Sequence, residues 1–148
     1  MADNSYPEMQ AELVVLGGEG FSPNEFQAAL GLSADRMDLI GDRIGASILR
    51  RKNNAWIIST GYLKCIYLQQ LVTPLMARLE PYWDVLRRMT AAPDICVEFS
   101  VAAYVDSQAP ALSLDQATVE RLAYIGATID IDIILLEPSG DKNLRGGP

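Results

Sequence analysis

Residues 94–105 alternate with a strand's period. Ile95, Val97, Phe99, Val101 and Ala103 fall on one side, and Cys96, Glu98, Ser100, Ala102 and Tyr104 on the other. Successive side chains of a strand point to opposite faces, so this run has a core side and requires a sheet with one face covered. Two further runs read as strands. Residues 12–16 form a short apolar run closed by Gly17-Gly18, and residues 128–136 are rich in β-branched side chains and end at Pro138-Ser139-Gly140.

The covering layer is also legible. Ser22-Pro23-Asn24-Glu25 places Ser at an N-cap, Pro at the first helical position and Glu at the third. Phe26, Ala29 and Leu30 follow as a buried stripe, and Gly31 is a natural stop. Ser113-Leu114-Asp115-Gln116 repeats the capping pattern ahead of Val119, Leu122 and Ala123, which face inward, with Gly126 as the stop. The longest helical pattern spans residues 63–90, where Leu68, Leu71, Val72, Leu75, Met76, Leu79, Tyr82, Trp83, Leu86 and Met89 share one face. Pro74 and Pro81 lie inside it and predict a kink or two abutting helices, because proline donates no hydrogen bond and clashes one turn back. Residues 32–46 read as irregular. Residues 47–50 and 55–60 read as a hairpin around Arg51-Lys52-Asn53-Asn54, with Asn taking the positive-φ positions.

The order is β-α-β-β-α-β-α-β. It predicts an α+β domain over residues 11–137, with a mostly antiparallel sheet and helices packed on one face. A polar leader (1–10) and a flexible tail (138–148) flank it. The tail carries Leu144-Arg145-Gly146-Gly147, the ending of ubiquitin-type modifiers, but Pro148 follows it and the body lacks the β-β-α-β order of that fold. A solvated terminus is the expectation.

Composition narrows the chemistry. The 148 residues contain no histidine, which removes Ser-His-Asp and Cys-His catalysis and the commonest neutral-pH base. The two cysteines, Cys65 and Cys96, sit among apolar neighbours and read as buried free thiols. A net charge of −7 repels phosphate backbones, so the expected partner is another protein, basic in character, and not nucleic acid. There is no signal-peptide pattern and no apolar run long enough for a membrane span, so no membrane is expected and the cytoplasm is the expected compartment. No cofactor motif is present, and Gly17-Gly18-Glu19-Gly20 lacks the spacing and the Lys-Ser/Thr of a phosphate loop.

Two acidic groups stand out as partner-binding candidates. Asp35, Asp38 and Asp42 lie in the irregular segment with Arg36 and Arg43 between them, a pattern suited to docking a basic partner. Asp130 and Asp132 share one face of the last strand roughly 7 Å apart, which makes a polar edge or half of a cation site. Arg50-Arg51-Lys52 reads as a hairpin tip, and Trp56, Trp83 and Tyr82 as core.

Several stretches in this order resemble a bacterial uncharacterised family, domain of unknown function 4279. They are Ser22-Pro23-Asn24-Glu25, Leu30-Gly31-Leu32, Gly41-Asp42, Ala55-Trp56-Ile57-Ile58-Ser59-Thr60, Leu79-Glu80-Pro81 and Ser113-Leu114-Asp115-Gln116. Leu122-Ala123-Tyr124-Ile125-Gly126 and Ile129-Asp130-Ile131-Asp132-Ile133 complete the set. The resemblance spans about residues 11–136 and implies a fold and a bacterial or phage setting, with no catalytic residues. Where the family shows a Pro-Thr-like step, this chain has Ser33-Ala34-Asp35. The functional expectation is a non-enzymatic binding module, most concretely an immunity-type neutraliser of a basic toxin. The alternatives are a phage inhibitor of a host defence protein, or a hydrolase or transferase using carboxylates such as Asp42, Glu98 or Asp130. An exposed edge strand also leaves room for a homodimer.

Overall fold

A computed structural model describes residues 5–137; the Leu144–Gly147 motif lies outside the described residues. The central strand β1 (Glu8–Gly17) begins earlier than the apolar run suggests. Glu8, Met9 and Gln10, expected in the leader, belong to the sheet, and Met9 is fully buried. β1 pairs antiparallel on one side with β3 (Asn54–Ser59) and on the other with β5 (Cys96–Val105). The edges are β2 (Arg36–Asp38), antiparallel to β3, and β6 (Thr128–Leu135), parallel to β5. The two-residue β4 (Leu63–Lys64) continues the β3 side of β1 after a break at residues 60–62. There Gly61 has φ 69°, and the Thr60 hydroxyl accepts the Ala11 N–H at 3.0 Å in place of a ladder carbonyl. The result is a mixed, mostly antiparallel six-stranded sheet.

One face of that sheet carries the core. Leu13 and Val15 of β1, Trp56 and Ile58 of β3, and Val97, Phe99, Val101 and Ala103 of β5 all point toward the helices. The alternation predicted for β5 is therefore realised. Cys96, on the opposite face by the same alternation, is exposed, so only Cys65 is partly covered, and burial raises its thiol pKa.

α1 (Pro23–Leu30) is capped as its sequence predicts. The Ser22 hydroxyl accepts the Glu25 N–H at 3.2 Å, and Gly31 closes the helix at φ 83°. Its buried stripe is Pro23, Phe26 and Leu30; Ala29 lies one step off that line and is exposed. The long pattern resolves into α2 (Leu68–Leu79), a single 3-10 turn (Glu80–Tyr82) and α3 (Trp83–Met89). Pro81 sits in the turn and divides the helices, whereas Pro74 lies on the exposed side of α2. The cap of α4 (Gln116–Tyr124) falls two residues later than expected. Asp115 is its N-cap, with Oδ1 accepting the Thr118 N–H at 2.8 Å. This later start rotates the inward face onto Thr118 and Leu122, and leaves Val119 and Ala123 in solvent.

The expected hairpin is the main departure. β3 pairs with β2, three residues that read as irregular, and residues 39–53 form an arm between them. Within the arm, Arg43 bridges Arg50 and the Ile44 N–H bonds the Leu49 carbonyl at 3.0 Å, with Gly45 at φ 58° at its tip. Asn54 holds the arm's root. Its Nδ2 donates to the Gly18 and Phe21 carbonyls at 3.3 and 3.0 Å, and its Oδ1 accepts the Ile40 N–H at 2.8 Å. Among the described residues every positive φ belongs to a glycine, so neither Asn53 nor Asn54 takes the expected turn role.

Candidate functional site

The helices cover one face of the sheet and leave the other open. On that open face Arg36, Ile57, Val14 and Glu98 stand in register across four neighbouring strands, a row about 14 Å long at the usual strand spacing. Val14, Ala55 and Ile57 form a second, small apolar cluster there that is itself buried, at 9%, 2% and 1% exposure, with Leu16 packed against it. Ile44 and Leu49 of the arm line, with these residues, a groove of about 520 Å³. Grooves of this size hold small molecules.

The wall on the β2 side is a charge network. Arg36 donates to Glu12 Oε2 at 3.0 Å and to Asp38 Oδ1 at 3.3 Å, while Arg51 Nε lies 3.6 Å from Asp38 Oδ2. Burial acts to lower the Arg36 pKa, but the Glu12 and Asp38 carboxylates outweigh it and raise it. Arg51 Nε is buried with no hydrogen-bond acceptor among the described residues. Arg50 and Lys52 are exposed at the groove, and neither forms an ion pair among the described residues; Arg50 Nη1 reaches the Gly41 carbonyl at 3.3 Å.

The two acidic groups separate in space. Asp35 forms a two-pronged pair with Arg78 of α2, at 2.7 and 3.1 Å, and its Oδ2 accepts the Ser59 N–H at 2.8 Å. Burial pushes its carboxyl pKa up, yet the Arg78 and Ser59 hydrogen bonds prevail and hold it below the ordinary value. Asp42 Oδ2 accepts the Leu39 N–H at 2.8 Å inside the arm, and Asp38 faces the groove. Asp35, Asp38 and Asp42 therefore each bind a different internal partner.

Asp130 and Asp132 lie on the open side of β6, opposite Ser100 and Ala102 of β5. Glu98 joins them, and its carboxyl pKa is raised by burial, then by the charges of Asp130 and Asp132 and a hydrogen bond with Asp130. No group of three or more His, Cys, Asp or Glu suited to a metal ion occurs among the described residues. Of Asp42, Glu98 and Asp130, the three carboxylates considered for catalysis, only Glu98 lines the groove.

The other side of β6 carries what sequence reasoning missed. Ile129, Ile131 and Ile133 continue the core row of β5, in register with Phe99, Val101 and Ala103, yet they are 47%, 37% and 53% exposed. Leu135 reaches 77%. β6 pairs with β5 alone among the described residues, so its outer edge also leaves backbone groups unpaired. The only hint in the sequence is that apolar residues outnumber what a half-buried edge needs.

A mixed sheet with helices on one face and an open, grooved second face defines an α+β domain. No helix among the described residues is long and apolar enough to cross a membrane. The chain belongs to the family described as Domain of unknown function (DUF4279), whose match covers residues 7–136. No curated protein and no solved structure matches it.

Proposed function

We propose that the protein is a non-enzymatic protein-binding module that receives an extended strand of a basic partner along β6. The observation that carries this reading is the exposed apolar row Ile129, Ile131, Ile133 and Leu135 on a strand with a free edge. Exposed apolar surface of this kind marks interaction sites, and a free edge offers main-chain hydrogen bonds to an added strand. The opposite face of β6 selects the partner's charge. Asp130 and Asp132, with Glu98 beside them, attract alternate lysine or arginine side chains on the incoming strand. A second copy of this chain fits less well. Two-fold pairing through β6 sets Asp130 and Asp132 of both copies on the same face, where like charges repel. An immunity-type neutraliser of a basic toxin in a bacterial cytoplasm is the most concrete form. The net charge of −7 supports it, and a phage inhibitor of a host defence protein uses the same chemistry.

The test is amide hydrogen exchange of the protein titrated with a short peptide alternating lysine and valine, and with purified basic toxin domains. The expected result is slowed exchange at β6, abolished by Ile131→Lys/Ile133→Lys in a variant whose circular dichroism is unchanged. Protection confined to other strands, or equal binding by that variant, would overturn the reading. So would a neutral-pH dimer in light scattering that the same variant dissolves, because β6 would then belong to a second copy.

A further inference from the structure

The arm between β2 and β3 closes on itself as a small hairpin with an unusual pair at its centre. The Ile44 N–H bonds the Leu49 carbonyl at 3.0 Å and the Arg51 N–H bonds the Asp42 carbonyl at 2.8 Å. Between these two bonds Arg43 and Arg50 stand directly opposite each other. A pair flanked in this way is the close, non-hydrogen-bonded kind, with Cα atoms about 4.5 Å apart and both side chains on one side. Like charges set opposite each other destabilise a hairpin. Neither Arg43 nor Arg50 forms an ion pair among the described residues that would offset this. Glu12, Asp38 and Glu98 border the groove beside Arg50 and Lys52, yet none of them is ion-paired with either among the described residues.

The tip of the same hairpin is apolar and open. Ile48 is 93% exposed and Leu49 63%. Side-chain packing by Ile48 does not hold the turn. Ser47 does so, its hydroxyl donating to the Ile44 carbonyl at 2.8 Å and accepting the Leu49 N–H at 3.1 Å. Residues 39–53 carry Arg43, Arg50, Arg51 and Lys52 against Asp42 alone, on a chain whose net charge is −7. Two guanidinium groups side by side match carboxylate oxygens, and an exposed isoleucine next to them calls for an apolar neighbour. A long polyanion or an anionic membrane also meets the repulsion of the acidic body, whereas a short acidic segment meets mainly the charges within about 8–10 Å.

We propose that the tip of the arm docks an acidic, partly apolar segment of another protein. Arg43 and Arg50 clamp its carboxylates, and Ile48 and Leu49 cover an apolar side chain beside them. This surface is separate from β6 and does not depend on the basic partner proposed there.

Fluorescence anisotropy of a labelled peptide with two glutamates on each side of Leu-Phe tests it at low ionic strength. The controls are the same peptide with glutamine for glutamate, a thymidine oligonucleotide, and vesicles of phosphatidylserine in phosphatidylcholine. The expected result is saturable binding of one acidic peptide per chain, weakened by salt, with all three controls binding less tightly. Arg43→Glu/Arg50→Glu keeps two like charges opposite each other, so the hairpin folds as before, checked by circular dichroism. It should weaken the peptide by about tenfold or more, and Ile48→Ser by about fivefold. Arg43→Glu alone turns a repelling pair into an attracting one. Amide exchange at Ile44 and Arg51 should then slow while peptide affinity falls, a split that a purely structural pair would not produce.

No saturable binding of the acidic peptide, equal binding of the glutamine peptide, or equal binding by the Arg43→Glu/Arg50→Glu chain would each overturn the proposal. Tighter binding of the oligonucleotide or the vesicles would also overturn it, and would assign the arm to nucleic acid or to a membrane. Ile131→Lys/Ile133→Lys should leave peptide binding unchanged, so failure at the arm and failure at β6 are told apart; loss of binding in that variant would move the peptide to β6 and overturn the assignment.

Discussion

Replacing Asn54 with alanine removes the clamp between the arm and the β1–α1 turn, and its cost follows from the three bonds lost. The Ile40 N–H at 2.8 Å and the Gly18 carbonyl at 3.3 Å are both in exposed bonds and regain water, so each loss costs about 0.5 kcal/mol. The Phe21 carbonyl at 3.0 Å is partly buried, and its loss costs about 1 kcal/mol. The sum is about 2 kcal/mol, equivalent to a fall of roughly 6 °C in Tm for a domain of this length. Urea unfolding followed by fluorescence reports it directly, because Trp56 and Trp83 are both buried. The midpoint should fall with no change in slope, since no additional surface is exposed on unfolding. Asn53→Ala is the control: Asn53 is exposed and makes no hydrogen bond among the described residues, so it should stay within about 0.5 kcal/mol of the parent. An Asn54→Ala change of less than about 0.5 kcal/mol, or an equal loss at Asn53, would refute the view that this side chain roots the arm.

Two other outcomes follow from the same geometry. A Cβ placed on Gly17 would overlap the Cβ and ring of Phe21, so Gly17→Ala should destabilise by about 1–3 kcal/mol in the same unfolding assay, and an unchanged midpoint would contradict the packing. The Asp35 carboxyl has a folded-state pKa below its ordinary 3.8, so its contribution to stability is present above pH 3.8 and is lost as pH falls through the lower folded value. Both partners are more than a third exposed, which limits the contribution to less than about 1 kcal/mol. Asp35→Asn should therefore flatten the acid side of the stability profile, and an unchanged profile would refute the pairing.

The elements legible in the sequence were those whose signals are local. The β5 alternation, the Ser22 cap, the glycine stops at Gly31 and Gly126, and the division of the long helix at Pro81 all arise from neighbours within about one helical turn. The misreadings came where a distant partner decides. β2 has no apolar alternation of its own and is a strand only because Arg36, Met37 and Asp38 pair with Ile57, Trp56 and Ala55. Ser113 and Asp115 both suit a cap, and a tertiary bond between the Asp115 N–H and Gln69 of α2, at 2.7 Å, holds Asp115 in that place.

The site divides along the same line. Asp130 and Asp132 were legible as a polar face because strand periodicity is carried by the chain itself. The sequence alone also determined the α+β class, the acidity and the absence of histidine chemistry. Only the tertiary structure decided that Asp35 pairs with Arg78, and that Arg36 and Arg51 neutralise Glu12 and Asp38 while Arg50 and Lys52 stay unmatched. It also decided that the isoleucine row of β6 faces solvent. Periodicity tells which residues share a side, but the side that is covered depends on where the helices end, and they stop short of the last strand.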